Sequence, residues 1–282
     1  MKILITGADG MLGSDLNRVL NENHEVMPTD IPSLDITDIN QVENIISSYK
    51  PNIVINSAAY TNVDECESNS KLAYEINSFA PKNLAIVCDK YNSKLIHIST
   101  DYVFNGENDK PYVESDKTEP INVYGETKLK AEELIRNTFD NYVILRTSWL
   151  YGLNGNNFVK TMVELSESHD EISVVDDQRG SPTYTHDLAI AILELLENDL
   201  NGTYHLTNSG NCTWFDFAKN IFEIANVDVD LKPVATDEFP RPAKRPKYSV
   251  LNNGKWKNDG LTPLRNYKNA LNDYLTVLLK LV

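Results

Sequence analysis

The chain has 282 residues, which allows one large domain or two of moderate size. Hydrophobic residues make up 41% and charged residues 24%, ordinary values for a globular protein with a sizeable core. The formal net charge of −15 argues against nucleic acid and against an anionic membrane surface as partners. A phosphorylated ligand would therefore need local help from a helix N-terminus or a cluster of basic side chains.

The cysteines have the spacing of neither a disulfide framework nor a zinc site. Cys66, Cys88 and Cys212 are odd in number and form no C-x-x-C pair, so reduced thiols are expected. The first apolar run is too short for a signal peptide, and no stretch reaches the roughly 20 apolar residues of a membrane span. We therefore expect a cytoplasmic protein, with the choice between monomer and homodimer left open.

The first half of the chain alternates short apolar runs with amphipathic segments, which is typical of β-α units around a parallel sheet. The predicted strands are Lys2–Thr6, Glu25–Met27, Asn52–Asn56, Lys94–Ser99 and Tyr142–Arg146. Apolar residues at helical spacing predict helices over Leu12–Leu20 and Val42–Tyr49. Right-handed crossovers then give an α/β fold with a Rossmann-like, doubly wound parallel sheet.

The segment between the first strand and the first helix carries three glycines. Gly7, Gly10 and Gly13 have the spacing G-x-x-G-x-x-G. Such glycines allow a tight turn and let backbone N–H groups approach a pyrophosphate at the N-terminus of the helix. The pattern favours a dinucleotide site, and a tight turn without a ligand is the alternative.

Asp30 follows the second strand, where an acidic side chain commonly hydrogen-bonds the adenosine ribose of a dinucleotide. No arginine or lysine occurs between Thr29 and Asp35 to hold a 2′-phosphate. The segment therefore favours NADH, with NADPH tolerated. A solvated loop carboxylate is the alternative interpretation.

After residue 150 the alternating pattern loosens. We predict that residues 1–150 form an NAD(P)-binding domain and that the chain returns to it at about 172–205. The returning elements are a strand over Ile172–Val175 and a helix over Asp187–Glu197. Residues 206–282, with parts of 151–171, are predicted to form a smaller C-terminal substrate-binding domain. The proline-rich segment Phe239–Pro246 is predicted to be an ordered loop.

Tyr124 and Lys128 are the catalytic candidates, because residues four apart share one face of a helix. The pKa of a free tyrosine is about 10, and a lysine cation beside the phenol would lower it towards a useful acid. Thr100 follows a predicted strand, where its hydroxyl could hydrogen-bond a substrate oxygen. Each residue alone is common by chance, and only their combination is informative.

These residues together resemble the extended short-chain dehydrogenase/reductase family. Longer segments resemble the dTDP-4-dehydrorhamnose reductase family within it, and they occur in the expected order over nearly the whole chain. The segments are Asp35–Asp38, Pro51–Asp64, Ser99–Phe104, Arg146–Gly152, Gln178–Thr183 and Arg241–Ser249.

The resemblance implies a nicotinamide cofactor, NADH or NADPH, and assigns residues to its parts. The pyrophosphate would contact Gly7, Gly10, Met11, Leu12 and Gly13, and the adenosine ribose would contact Asp30. Asp35 and Ile36 would lie near the adenine, and the path to the nicotinamide would be lined by Ala58, Ala59, Tyr60 and Thr61. Tyr124 and Lys128 would also touch this cofactor.

The resemblance also implies a dTDP-linked deoxysugar as substrate. Hydride would move to the C4 ketone of dTDP-4-dehydro-6-deoxy-L-mannose, Tyr124 would protonate the alkoxide, and the product would be dTDP-L-rhamnose. The expected substrate residues are Val63, Thr100, Asp101, Tyr102, Trp149, Arg179, Arg241 and Arg245. In this acidic chain the basic group Arg241, Lys244, Arg245 and Lys247 is the expected clamp for the diphosphate, and a solvated loop is the alternative. For Trp149 the alternative is an ordinary core position.

Several alternatives remain open on the sequence. Nucleotide-sugar 4,6-dehydratases and 4-epimerases share the glycines and the Tyr-Lys pair, but related dehydratases carry Asp-Glu where this chain has Asp101-Tyr102. The regulatory subunit of methionine adenosyltransferase resembles the same family yet serves as a binding partner. Some family members bind magnesium through acidic residues near the C-terminus; those positions find no match in this sequence, and a magnesium site stays open. His97 is expected to be packed rather than catalytic.

Overall fold

A parallel six-stranded sheet forms the centre of the computed structural model, which describes residues 1–281. The strands of the whole chain, in order, are β1 (Lys2–Thr6), β2 (Glu25–Thr29), β3 (Ile53–Asn56), β4 (Lys94–Thr100), β5 (Tyr142–Thr147), β6 (Leu150–Tyr151), β7 (Glu171–Val175), β8 (Arg179–Gly180), β9 (Thr183–Tyr184), β10 (Gly202–His205), β11 (Cys212–Thr213) and β12 (Asp230–Val234). The central sheet has the order β2-β1-β3-β4-β5-β10, and all its pairs are parallel.

Helices connect these strands. They are α1 (Met11–Leu20), α2 (Ile39–Tyr49), α3 (Val63–Ser68), α4 (Ser70–Tyr74), α5 (Ala80–Tyr91), α6 (Val123–Arg136), α7 (Phe158–Ser166), α8 (Thr185–Leu196), α9 (Trp214–Ala225), α10 (Gly254–Asn258) and α11 (Tyr267–Leu281). A π-helical turn over Glu75–Phe79 joins α4 to α5, and a 3₁₀ turn over Asp101–Val103 follows β4. None of the helices in the described part of the chain is long and apolar enough to cross a membrane.

The central strands are apolar on both sides because helices cover both faces of the sheet. α1 and α8 pack on one face through side chains such as Leu16 and Ile192. α2, α5 and α6 cover the other face through residues such as Val42 and Leu84. The predicted α/β fold with a Rossmann-like sheet is confirmed, and so are the five strands predicted in the first half.

The strand order reverses at β1, whose neighbours are β2 on one side and β3 on the other. In open parallel sheets such a reversal leaves a crevice beyond the carboxyl ends of the strands, and ligands bind there. Thr6, Asn56 and Thr100 end β1, β3 and β4 at this edge. The candidate site is therefore built from the loops that follow these strands.

The predicted strand over Ile172–Val175 exists as β7, but its placement in the central sheet is wrong. β7 pairs with β12 in a separate two-stranded sheet, and β10 occupies the sheet edge beside β5. β7 buries only alternate side chains, so it suits a one-sided sheet rather than a layer between helices. β10 escaped prediction because Gly202–His205 has little apolar character. The predicted helix does return, as α8 on α1.

A second core lies outside the central sheet. It gathers aromatic and aliphatic side chains from β6 onward, including Tyr151, Val159, Phe217 and Tyr274. These residues come from segments that the sequence assigns partly to each predicted domain, so the domain boundaries stay a prediction. The basic loop, which we define as Phe239–Lys247, runs without a regular strand or α-helix towards the site.

Candidate active site

The glycine turn between β1 and α1 can close only without side chains. Gly7 has a φ of +70°, and a Cβ there would lie 2.6 Å from the Ala58 backbone nitrogen. A Cβ on Gly13 would lie 2.0 Å from the Gly7 carbonyl oxygen. Within residues 1–281 no side chain caps α1 at Gly10, so its first N–H groups are open towards the crevice. This cradle fits the pyrophosphate of a dinucleotide.

Asp30 lies beside the glycine turn, as the sequence predicts for a ribose-binding residue. Its Oδ2 accepts a hydrogen bond from the Asp9 backbone N–H at 3.1 Å, and its Oδ1 accepts one from the Ile31 N–H at 2.9 Å. Asp35 has a local role, because its Oδ1 accepts from the Thr37 N–H and hydroxyl. The side chain of Ile36 is buried in the core beneath α2. Contacts of Asp35 and Ile36 with adenine stay a prediction.

The segment after β3, predicted to reach the nicotinamide, is held by one buried amide. Asn77 Oδ1 accepts from the Tyr60 N–H at 2.7 Å, and Asn77 Nδ2 donates to the Tyr60 carbonyl at 3.0 Å. The same Nδ2 donates to Thr127 Oγ1 at 3.2 Å, which ties Ala59–Thr61 to α6 next to Lys128. Asn77 is not among the predicted site residues: it matches an asparagine of the family, but the sequence leaves a purely structural role equally open.

The start of α6 places Tyr124 at the crevice. Asn122 caps this helix: its Oδ1 accepts from the Gly125 N–H at 2.8 Å, and its Nδ2 donates to the Lys244 carbonyl at 2.8 Å. A Cβ on Gly125 would lie 2.2 Å from the Tyr102 carbonyl oxygen, so glycine allows α6 to pack on the turn after β4. The rings of Tyr124 and Tyr102 then meet edge to face at 5.8 Å.

Lys128 lies one helical turn after Tyr124 and is almost completely buried. Its Nζ donates to the Ile98 carbonyl at 2.7 Å, and burial lowers the pKa of Lys128 to about 8. Burial and then the Asp101 carboxylate raise the pKa of Tyr124, whereas a hydrogen bond with Thr100 lowers it. The predicted effect of Lys128 on the phenol stays a prediction, because in this arrangement the lysine is hydrogen-bonded to β4.

Asp101 is a buried carboxyl group at the same edge, with a side chain that is 2% exposed. Its Oδ1 accepts from the Thr100 hydroxyl at 3.0 Å, and its Oδ2 has no hydrogen-bond partner among the described residues. Burial raises the pKa of Asp101 to about 7. A group that exchanges protons near neutrality thus lies beside Tyr124.

The change in the free energy of unfolding caused by Asp101→Asn is expected to be about 3 kcal/mol more favourable at pH 8 than at pH 5. The folded carboxyl has a pKa of about 7 against about 3.9 when unfolded, so its stabilising contribution is complete at low pH and is lost as the pH rises through 7. Asparagine does not titrate. Urea unfolding of both proteins at the two pH values measures the difference, and parallel pH dependences would contradict the assignment.

The basic loop is anchored to α3 by Asp64. Asp64 Oδ1 accepts from Arg245 Nη1 at 2.7 Å and from the Ala243 N–H at 3.1 Å. Arg241 Nη1 lies 3.7 Å from Asp64 Oδ2. The pKa of Tyr102 is raised by burial and by Asp101, and Arg245 acts against this rise. The predicted arginine clamp and the turn after β4 are therefore brought together, next to Val63 at the start of α3.

Trp149 is predicted to lie against the sugar or base, but both faces of its indole are covered. Its ring stacks on Trp214 with centroids 3.5 Å apart and planes within 5°. A Cβ on Gly180 would lie 2.4 Å from Trp149 Cε2, so the Gly180 backbone covers the opposite face. Trp149 also has a φ of +48°, unusual for a bulky residue. A contact with substrate stays a prediction and would use the indole edge.

Arg179 lies where β8 meets the end of the basic loop. Its backbone N–H donates to the Lys247 carbonyl at 2.8 Å, while its Nη1 donates to Asn211 Oδ1 at 3.0 Å. Its Nη2 is 3.8 Å from Asp216 Oδ2. These contacts hold the loop and occupy the guanidinium, so the predicted substrate contact of Arg179 stays a prediction.

Acidic side chains near the C-terminal helix are paired with arginine. Both oxygens of Asp187 accept hydrogen bonds from Arg265 at 2.8 Å, and Asp273 pairs with the same guanidinium. Among residues 1–281, no group of three or more His, Cys, Asp or Glu side chains could hold a metal ion. The magnesium site that the sequence leaves open stays a prediction.

Known proteins resemble the chain over nearly its full length. Residues 1–280 match the family model of the RmlD substrate binding domain. The chain is 42% identical to the spore coat polysaccharide biosynthesis protein SpsK of Bacillus subtilis, over 97% of this chain and 96% of that protein. It is 39% identical to the dTDP-4-keto-6-deoxy-D-glucose reductase of Streptomyces niveus, over 98% and 96%.

Solved structures agree with this relationship. The dTDP-4-dehydrorhamnose reductase of Clostridium acetobutylicum superposes with a TM-score of 0.97 at 48% identity, covering 99% of this chain and 100% of that one. The dTDP-4-dehydrorhamnose reductase of Bacillus anthracis, solved in complex with NADP, gives a TM-score of 0.96 at 43% identity, covering 98% and 99%. The protein therefore belongs to the RmlD family of dTDP-4-dehydrorhamnose reductases, as its motifs indicate, and it is an NAD(P)H-dependent reductase.

Proposed function

We propose that the protein reduces the C4 ketone of dTDP-4-dehydro-6-deoxy-L-mannose to dTDP-L-rhamnose, with Tyr124 as the proton donor. The observation that carries the proposal is the proximity of Tyr124 and Thr100 at the carboxyl edge of the sheet, with Lys128 one helical turn after Tyr124 on α6. The glycine turn that can receive a dinucleotide opens at the same edge. The full-length match to dTDP-sugar reductases supports the choice of substrate.

The side chains at this edge have separate tasks in the reduction. The nicotinamide cofactor, when bound, supplies the hydride for C4. Thr100 orients the ketone oxygen, and the Tyr124 hydroxyl transfers its proton to that oxygen as negative charge develops there. Lys128 stabilises the phenolate that remains and holds the nicotinamide ribose. Asp101, beside Thr100, positions the sugar hydroxyls with its unpaired Oδ2.

Arg245→Ala is expected to raise KM for the sugar nucleotide by about 10- to 100-fold and to leave KM for NADH nearly unchanged. Arg245 is the better buried arginine of the clamp, and a diphosphate would replace Asp64 as its partner. Arg241→Ala is the matched control and should have a smaller effect, because that side chain is 55% exposed. Equal changes in both KM values would place Arg245 outside the substrate site.

Asp30 is proposed to make NADH the preferred cofactor, with NADPH tolerated. The carboxylate suits ribose hydroxyls and repels a 2′-phosphate, although the related Bacillus anthracis enzyme was solved with NADP. Asp30→Ser is expected to lower the ratio of kcat/KM for NADH over NADPH by about tenfold. Steady-state rates with both cofactors measure this ratio. An unchanged ratio would show that Asp30 does not determine the preference for NADH over NADPH.

The function is tested by following oxidation of NADH with enzymatically generated dTDP-4-dehydro-6-deoxy-L-mannose. Sustained, stoichiometric oxidation with dTDP-L-rhamnose as product supports the reductase. An epimerase would not consume the cofactor, and a regulatory subunit would give no turnover. The rate of the same assay with added magnesium, compared with the rate in EDTA, tests whether the enzyme uses magnesium. Analytical sedimentation of the protein decides between monomer and homodimer.

A second substrate is favoured by one comparison, because the Streptomyces niveus relative is a dTDP-4-keto-6-deoxy-D-glucose reductase. The two ketones differ in sugar configuration, so the chain must be offered both. A higher kcat/KM for the D-gluco ketone would replace the L-manno substrate in the proposal. Nuclear magnetic resonance of the product gives the configuration at C4.

A further inference from the structure

A chain of buried polar side chains leads from the middle of the sheet to Lys128. It crosses three adjacent strands, through Thr6 and Asn56 at the ends of β1 and β3 and through His97 in the middle of β4. Asn56 and His97 are completely buried. Buried polar groups destabilise a fold unless they are hydrogen-bonded, so the pattern of donors and acceptors along this chain is constrained. The function proposed above makes no use of His97.

The orientation of Asn56 is fixed by its neighbours. Asn56 Oδ1 accepts from Thr6 Oγ1 at 2.8 Å and from the Ala58 backbone N–H at 3.2 Å. The Ala58 N–H can only donate, so the oxygen of the amide must face it. Asn56 Nδ2 then faces His97 Nδ1 at 3.0 Å. Because Nδ2 only donates, Nδ1 of the imidazole must be the acceptor and carries no proton.

The tautomer of His97 follows from this contact. Burial and the charge of Lys128 hold the pKa of His97 well below its ordinary value, so the ring is neutral. A neutral ring without a proton on Nδ1 carries its proton on Nε2. His97 Nε2 lies 3.4 Å from Lys128 Nζ, longer than an ordinary hydrogen bond. The distance agrees with two donors that face each other.

We propose that His97 is a positioning residue that directs Lys128 towards the site by offering it a donor instead of an acceptor. The Lys128 ammonium has three N–H groups, and one of them donates to the Ile98 carbonyl. With Nε2–H below it, the ammonium finds no acceptor on the imidazole. Two N–H groups therefore stay available for the Tyr124 phenolate and the cofactor ribose, roles that rest on the proposed function. In the Nδ1–H tautomer, Nε2 would accept a hydrogen bond from the ammonium and would occupy one of these two N–H groups.

Other charged groups around Lys128 do not replace this contact. Glu132, one turn further along α6, raises the pKa of Lys128 against the lowering by burial. Glu132 itself is bound to Arg146 from β5 and to Arg136 from α6. On the side of the crevice lie Tyr124 and Asp101. His97 is thus the titratable side chain that β4 places against Lys128 Nζ.

The tautomer is measured directly on the unliganded protein by nitrogen-15 NMR of labelled histidine. We expect His97 to be the neutral Nε2–H tautomer, without titration between about pH 6 and pH 8. His97→Gln assigns the signal by its loss. A proton on Nδ1, or a ring that becomes charged in this range, would overturn the proposal. This result does not depend on turnover, so it is separable from failure of the proposed function.

Two substitutions then test the consequence for catalysis. His97→Gln keeps the pattern of acceptor and donor, because Oε1 of the glutamine can accept from Asn56 and its amide N–H₂ can face Lys128. Asn56→Asp reverses it, because a carboxylate accepts a hydrogen bond from Nδ1–H, which keeps the proton on Nδ1 and leaves Nε2 as an acceptor for Lys128. We expect Asn56→Asp to lower kcat at least about tenfold more than His97→Gln, with KM for the sugar nucleotide nearly unchanged.

Thermal unfolding checks that both variants are folded, and NMR of Asn56→Asp checks that the tautomer has switched. Equal losses of kcat in two folded variants would show that His97 only fills space and would overturn the positioning role. If Asn56→Asp fails to fold, the tautomer of the wild-type protein still decides the proposal. A wild-type Nε2–H tautomer together with no turnover of either ketone would reject the proposed function alone.

Discussion

Tyr124→Phe is expected to lower kcat by about 10²- to 10⁴-fold and to leave the affinity for NADH nearly unchanged. Phenylalanine keeps the ring that packs edge to face on Tyr102, and it removes only the hydroxyl that hydrogen-bonds Thr100. The alkoxide formed at C4 would then have to take its proton from water. Oxidation of NADH gives kcat, and quenching of protein fluorescence gives the affinity for NADH.

Tyr74→Phe is the matched control for this experiment. Tyr74 also contacts α6, through a hydrogen bond from its hydroxyl to Glu126 Oε2 at 3.4 Å, but it lies away from Thr100. The control should keep most of the activity. Substantial turnover in Tyr124→Phe, or an equal loss in both variants, would remove Tyr124 as proton donor and direct attention to Asp101, whose pKa of about 7 also permits proton transfer.

Strand prediction succeeded where burial on both faces leaves an uninterrupted apolar run. β1 and β5 are such strands, and their limits follow from Ile3–Ile5 and Val143–Leu145. Periodicity cannot tell which sheet a strand joins, so β7 was placed wrongly. β10 was missed because its sheet-edge position demands little apolar character of Gly202–His205.

The site was predictable to the extent that its residues follow strands or share a helix turn. Thr100 and Tyr124 lie together because the end of β4 and the first turn of α6 face one crevice. Lys128 follows one helical turn later and is hydrogen-bonded to the Ile98 carbonyl of β4. Contacts between distant segments carry no such local signal. Asp64 and Arg245 are 181 positions apart, and nothing in either segment predicts their ion pair.

The tertiary surroundings of a correctly predicted residue also determine which of its atoms can contact a ligand. The resemblance to the family predicts Trp149 at the substrate, but the sequence does not show that Trp214 and Gly180 cover both faces of its indole. The spacing of Tyr124 and Lys128 predicts their shared helix face. It does not show that Lys128 Nζ is bound to the Ile98 carbonyl when the protein is unliganded. Such effects depend on tertiary packing and desolvation, which local patterns do not encode.

Glu132→Gln is expected to lower the free energy of unfolding near neutral pH by about 3–5 kcal/mol, because it leaves the buried guanidinium of Arg146 without its counter-charge. Glu132 is fully buried, and its two oxygens accept from Arg146 Nε at 2.9 Å and Nη2 at 2.7 Å. Glu132 also accepts from the Ser99 hydroxyl at 2.6 Å, on the strand that leads to Thr100. The variant should therefore lose activity through a loosened end of β4 as well as stability.

The pH dependence of the stability loss in Glu132→Gln shows whether the charge of this ion pair or only its packing stabilises the fold. Burial alone would raise the pKa of Glu132, but Arg146 and then Arg136 hold it below its ordinary value. A carboxyl with a lowered folded pKa stabilises the fold above its unfolded pKa of about 4.3, and this contribution is lost as the pH falls through the folded pKa. The loss of stability caused by the substitution should therefore become smaller at acidic pH in urea unfolding experiments.

Glu133→Gln, which affects an exposed pair with Lys130 on the same helix, should change stability by less than about 1 kcal/mol. A cost for Glu132→Gln that is small, or equally large at acidic and neutral pH, would show that shape and not charge holds Arg146 beneath the site.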